Sequence, residues 1–154
     1  MDSKLLLDEL VKRKLIDEAV QDRLLSDTKI AKKHVEDLLY ERRLVDDIEV
    51  AKIKSSLLKV PFKKVDLEKL TPDVLKLIPE DNVINYKVIP LSKTKDMMLV
   101  GMLYPDEEKA QEVLRFLAKQ NKIDLGVYLI SRSYYDLVRR KYNPYLNDVN
   151  AALR

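Results

Sequence analysis

Residues 77–120 read LIPEDNVINYKVIPLSKTKDMMLVGMLYPDEEKAQEVLRFLAKQ, and the change of hydrophobic period inside them decides the fold. Ile84, Tyr86 and Val88 alternate with more polar positions up to Pro90, and residues 97–104 are apolar on successive positions, as in a strand covered on both faces. The two runs predict a β-hairpin. Its turn at 92–96 is polar, lacks glycine and is longer than the tight two-residue kind. Pro105 then sets the entry into a helix: Asp106, Glu107 and Glu108 suit its amino end, and Ala110, Val113, Leu114 and Leu117 fall on one face. That face needs a sheet to cover. The apolar run 125–130 supplies a third strand, and a return through a helix of this length places it parallel to the second.

Upstream, the chain reads as helical. Ser3 caps a segment with Leu6, Leu7, Leu10 and Val11 on one face, and Asp17 caps a second over about 18–25. Leu15 and Ile16, apolar at the turn, are expected to pack between the two helices. Lys14-Leu15-Ile16-Asp17 then recurs as Arg43-Leu44-Val45-Asp46. Val35, Leu38, Leu39 and Arg42 form the face before the second copy, with Ile48, Ala51 and Leu58 after it. Two helical hairpins separated at 26–29 follow from this echo. Pro61 and Phe62 end the helical section, 63–70 reads as an extended connector or edge strand, and Thr71-Pro72-Asp73 opens a short helix. At the other end Ser131 or Ser133 caps a helix carrying Tyr134, Leu137 and Val138 over the sheet, and Asn143-Pro144 stops it. The expected architecture is α+β: helical hairpins over 1–60, a connector over 61–82, a small mixed α/β sandwich-like region of about three strands over 83–142, and a linker over 143–154.

Composition excludes several kinds of chemistry. Without cysteine there is no disulfide, thiolate catalysis or cysteine-ligated zinc. His34 stands alone as the single histidine and reads as a surface residue near a helix start, so no metal site is expected. Gly101 and Gly126 are the only glycines, each isolated in an expected strand, where close packing or a bulge explains them; no glycine-rich phosphate loop exists. No apolar run approaches the roughly 20 residues of a membrane span. The carboxylates sit mostly at helix starts and on polar faces, so neither a catalytic role nor a cofactor is expected.

Charge is balanced, with 29 Lys plus Arg against 26 Asp plus Glu and a net +3. Cations cluster at Lys12-Arg13-Lys14, Arg42-Arg43, Lys63-Lys64 and Arg139-Arg140-Lys141, three of them at expected helix carboxyl ends, where the local dipole favours them. Arg42, Arg43, Tyr134, Arg139 and Arg140 are the candidates for a protein-binding surface. Lys12, Arg13, Lys14 and Lys33 are the candidates for an alternative ligand site. Nucleic-acid binding, through these cations and the tyrosines near Tyr134, is a weaker alternative because the net charge is small.

One family resemblance spans residues 4–142. Leu58-Lys59-Val60-Pro61-Phe62, Ile78-Pro79-Glu80, Tyr86-Lys87-Val88-Ile89-Pro90-Leu91, Val100-Gly101-Met102-Leu103-Tyr104-Pro105 and the closing Arg140-Lys141-Tyr142 resemble, in this order, the N-terminal domain of the type II secretion and type IV pilus-assembly ATPases. The resemblance implies a non-catalytic regulatory and docking module, attached to a separate ATPase core and recruited from the cytoplasm to inner-membrane platform proteins. Some members bind cyclic di-GMP through two copies of an arginine-leucine-glycine motif with a later glycine. The matching positions here are Leu5-Leu6-Leu7 with Lys14, and His34-Val35-Glu36 with Arg43, so both arginines and all four glycines are replaced. Leu7 and Glu36 are expected to obstruct a ligand, and Glu36 to repel its phosphates. Docking is therefore the expected function, and a divergent cyclic di-GMP site the alternative.

Overall fold

The computed structural model describes residues 3–142, and the chain divides after Lys59 into two compact units. In the first, α1 (Ser3–Lys12), α2 (Glu18–Ala31), α3 (Val35–Glu41) and α4 (Asp47–Leu58) form two successive hairpins. The second repeats the first at a step of 29 residues, as Lys14 to Arg43 and Asp17 to Asp46 show. The repeat extends to single hydrogen bonds. After α1 the Leu15 N–H donates to the Leu10 carbonyl and the Lys14 N–H to that of Val11, both at 2.9 Å; after α3, Leu44 donates to Leu39 at 3.1 Å and Arg43 to Tyr40 at 3.2 Å. These nested bonds are Schellman closures, and they hold Lys14 (φ 61°) and Arg43 (φ 52°) in the left-handed region. Asp17 and Asp46 then open the next helix in each copy by accepting the Val20 and Ile48 N–H groups at 2.8 Å.

Leu6, Leu7, Leu10, Leu24, Leu39 and Ile53 are buried at the centre of this unit. The break expected at 26–29 is absent: α2 continues to Ala31. No glycine or proline interrupts it, and the Thr28 hydroxyl donates to the Leu25 carbonyl at 2.9 Å, within the helix. The junction falls instead at Lys32, again left-handed. In α4 the inward face is also different. Of Ile48, Ala51 and Leu58 only Ala51 is fully buried, and it is joined by Val50, Ile53 and Lys54. A lysine can take that place because its ammonium meets the Glu36 carboxylate at 2.7 Å.

The second unit is built on a sheet of order β1-β2-β3, with β1 at Val88–Lys93, β2 at Met97–Met102 and β3 at Asp124–Leu129. β2 is antiparallel to β1, with Ile89 opposite Gly101, and parallel to β3, with Val100 opposite Val127. The alternation of Ile84, Tyr86 and Val88 does not mark the first strand. α6 (Glu80–Tyr86) occupies most of it, opened by Glu80 and Asp81 after Pro79 and closed by left-handed Lys87. A run this short fits either period, and Val83, outside the alternation, is the residue of α6 that is fully buried. β1 starts only at Val88 and passes through Pro90, which is tolerated because β1 is an edge strand whose ladder shifts between Pro90 and Ser92. A short α5 (Pro72–Leu75) is capped by Thr71, as its sequence implied. The connector before it contains a 3-10 turn at Leu67–Lys69 and starts with a parallel bridge from Phe62 to Leu129.

α7 (Glu108–Gln120) buries Ala110, Leu114 and Leu117, and leads into the parallel strand that its length implied. α8 (Arg132–Lys141) is capped by the Ser131 hydroxyl, but it buries Tyr135 and Val138 rather than Tyr134 and Leu137. The linker expected over 143–154 lies outside the described residues.

Tyr135 yields a test of this core. Its hydroxyl donates to the Val83 carbonyl at 2.7 Å, tying α8 to α6. Burial pushes its pKa above the ordinary 10.0, with Arg139 and Arg132 opposing and Asp136 adding to the rise. Burial, and then Glu80, raise Tyr142 as well. A folded pKa above the unfolded one means that the fold favours the neutral phenol. The associated stability is complete below pH 10 and is lost as pH rises from there through the folded value. Tyr135→Phe should cost about 1–2 kcal/mol at pH 7, by stranding the Val83 carbonyl. Its melting temperature should also fall less steeply than the wild type's above pH 10; identical alkaline slopes would remove Tyr135 as the titrating group.

Candidate functional site

Two clefts open at the two repeat turns of the helical unit. The first, of about 590 Å³, has a wall of Val11, Leu15, Ile16 and Val20, with Leu44 of the second turn also lining it. Lys14, Asp17 and Glu18 supply its charge. The second, of about 390 Å³, lies among Tyr40 and Val45, with Arg43, Glu41, Asp46 and Asp47 around it. Both are hollows wide open to solvent rather than enclosed cavities. The local sequence explains the pairing. Each copy ends one helix with a left-handed cation, follows it with two apolar residues, and starts the next helix on an aspartate. Leu15 and Leu44 are more than a third exposed on these turns, so Leu15 does not pack between helices as expected; Ile16 is the one that reaches the core.

The candidate cations separate by what they touch. Arg13 is held by Glu9 at 3.0 Å, Arg42 by Asp27 at 2.7 Å and Lys33 by Glu41 at 3.1 Å. Lys12 is exposed in the last turn of α1. Lys14 and Arg43 line the clefts at equivalent positions. In the second unit, Arg139 and Arg140 are exposed in the last turn of α8 and Tyr134 is half-buried near its start. Sequence reasoning missed the cleft walls and the carboxylates Asp17, Glu18, Asp46 and Asp47 as a site. The signal available was the four-residue echo itself, which places a cation, two apolar residues and an acid together twice.

The obstruction expected from Leu7 and Glu36 is not what the structure contains. Leu7 is fully buried in the helical core. Glu36 faces Lys54. Neither lines either of these two clefts. Both residues point inward because they sit on the core face of α1 and α3, one helical turn from Leu10 and Leu39.

Other chemistry finds no footing among the described residues. No three of His, Cys, Asp and Glu group as metal ligands there, and no helix is long and apolar enough to cross a membrane. His34 is an exposed residue at the start of α3. The glycines are sites of close packing: a Cβ at Gly101 would stand 2.5 Å from Ile130 Cγ2, and one at Gly126 would stand 2.6 Å from Leu99 Cδ2.

The MshEN domain family matches residues 58–144, more than half of the chain. No curated protein matches it. Among solved structures, MshE with cdg superposes at a TM-score of 0.66 and 19% identity, covering 89% of this chain and 97% of that one. The N-terminal domain of XpsE superposes at 0.65 and 15% identity, covering 91% and 95%; another crystal form of it superposes at 0.51. At such identities these likenesses concern the fold, and they extend it across the helical repeats that the family match leaves out. The chain belongs to the MshEN domain family, the N-terminal domain of the MshE- and XpsE-type secretion and pilus-assembly ATPases, and corresponds to their non-catalytic regulatory region rather than to the ATPase core.

Proposed function

We propose that this domain regulates a secretion or pilus-assembly ATPase by sensing a cyclic dinucleotide at the two repeat turns of its helical unit. The observation that carries the reading is the pair of equivalent clefts, each bordered by a left-handed cation. It is supported by the likeness to MshE with cdg, which we take as cyclic di-GMP, across 89% of the chain. The inward orientation of Leu7 and Glu36 removes the objection that their side chains would block such a ligand.

Docking to inner-membrane platform proteins is the second reading, and the exposed Arg139 and Arg140 favour it on the second unit. Arg42 serves that reading less well, since Asp27 already holds it. Isothermal titration of the full chain at physiological salt separates the two. Sensing requires a saturable heat with cyclic di-GMP at one defined stoichiometry, absent with the linear dinucleotide, which carries comparable charge without the ring. A flat titration would reject sensing and leave docking as the function.

A further inference from the structure

We propose that the outer edge of β3 is a self-association site, at which two copies of this chain pair their β3 strands antiparallel about Leu125 and join their two three-stranded sheets into one. The inference concerns the α/β unit and is independent of the dinucleotide reading above.

The two edges of the sheet are not equally protected. At the β1 edge Pro90 brings no N–H and the ladder shifts between Pro90 and Ser92, and both features discourage a further strand. The β3 edge is closed at one end only. There the Leu129 N–H donates to the Pro61 carbonyl at 2.8 Å, and the Leu129 carbonyl accepts from the Lys63 N–H at 3.0 Å. Asp124 and Ile130 point their N–H groups the other way, donating to the Asp96 carbonyl at 2.8 Å and the Met102 carbonyl at 3.2 Å on the β2 side. Backbone groups alternate in direction along a strand, so Ile123, Leu125 and Val127 share the outward direction of Leu129. The outward N–H and C=O groups of Leu125 and Val127 meet no described residue. This open stretch lies between the bridge at Phe62 and the left-handed turn at Lys122.

The side chains beside the edge complement a second copy. Pairing about Leu125 sets Leu125 opposite its own counterpart, Ile123 opposite Val127 and Asp124 opposite Gly126. The two Leu125 residues exchange both backbone hydrogen bonds, and each Val127 N–H reaches the Ile123 carbonyl across the axis. On one face, the half-buried Ile123, Leu125 and Val127 of each copy form an apolar row against the same row of the other. On the other face Gly126 has no side chain, which gives the Asp124 opposite it room to extend toward Tyr128. The Lys63 ammonium stands there, 4.8 Å from the centroid of the Tyr128 ring. Asp124 is exposed, and neither it nor Lys63 makes an ion pair among the described residues. The two-fold axis therefore matches Asp124 of each copy with Lys63 of the other. A peptide of unrelated sequence would have to bring the same apolar row, carboxylate and cation at the same spacing. So short a pairing belongs to the weak end of specific association, with a Kd on the order of 10–100 µM.

Sedimentation velocity of the full chain tests this, and wild type should pass from monomer to dimer between about 10 µM and 1 mM. Asp124→Lys alters an exposed side chain and keeps the backbone bonds, and it should weaken association by about tenfold or more by setting two cations together. Adding Lys63→Asp to that variant restores the charge match with its sign exchanged and should bring association back within about threefold of wild type. The chain contains no cysteine, so a single introduced thiol reports the register directly. Leu125→Cys should form a disulfide-linked dimer under mild oxidation, since residues opposite each other in a hydrogen-bonded antiparallel pair have Cα atoms about 5.5 Å apart, within disulfide reach. Lys95→Cys, exposed in the turn between β1 and β2, should cross-link at least about tenfold more slowly. A monomer across the whole concentration range, a dimer that Asp124→Lys leaves unchanged, or cross-linking no faster at 125 than at 95 would each overturn the proposal.

Discussion

Glu36→Gln should destabilise the helical unit by about 3 kcal/mol, the scale expected when one partner of a buried ion pair is removed and the other charge stays behind. The Lys54 side chain is only 3% exposed and Glu36 20%, and their 2.7 Å contact is the compensation that lets an ammonium lie on the inward face of α4. The repeat supplies a control. At the 29-residue step Glu36 corresponds to Leu7 and Lys54 to Leu25, an apolar pair packed in or against the same core. The double variant Glu36→Leu with Lys54→Leu restores in the second hairpin the chemistry of the first. It should fall within about 1 kcal/mol of wild type or exceed it, since exchanging a buried ion pair for apolar residues is often neutral or favourable. Urea unfolding followed by helical circular dichroism measures both. A double variant as damaged as Glu36→Gln would mean that the two hairpins do not share one packing scheme.

Gly101→Ala should cost the α/β unit about 2–3 kcal/mol, although alanine is the smallest addition possible. Its Cβ would lie 2.5 Å from Ile130 Cγ2 and 3.3 Å from Cγ1 and Cδ1. Ile130 cannot give way easily. Its branch point is one bond from the backbone, the side chain is 1% exposed, and its N–H is fixed to the Met102 carbonyl at 3.2 Å. Gly126→Ala makes the comparison. The nearest atom there is the terminal Leu99 Cδ2 at 2.6 Å, with Met97 Sδ at 3.2 Å, and both belong to partly exposed, flexible side chains that can swing aside. That variant should cost less than about 1 kcal/mol. Adding Ile130→Ala to Gly101→Ala should leave the pair about 2 kcal/mol more stable than the sum of the single effects. Strict additivity would show that the clash is relieved elsewhere.

Residues 97–130 declare strand, helix and parallel strand from the sequence because the helix between the two short apolar runs is long enough to show its own period. The return direction then follows from chain length. The echo at 14–17 and 43–46 likewise carries the turn conformations, since capping and helix closure are local events settled within a few residues. Where the signal is short or ambiguous, only the tertiary structure decides. Residues 84–88 alternate like a strand, yet 84–86 form the end of a helix, because a five-residue apolar pattern fits either period and the sheet takes its strand only from Val88 onward. Lys54 is buried and nothing beside it in sequence marks it as such, because the Glu36 carboxylate it meets is 18 positions away in another helix. The same holds for the candidate cations. Arg13 and Lys14, or Arg42 and Arg43, look alike as neighbours in sequence, but one of each pair meets a carboxylate and the other meets a cleft. That distinction depends on where each side chain points after its helix ends and on which neighbours the fold brings to it, and neither is encoded in residue type alone.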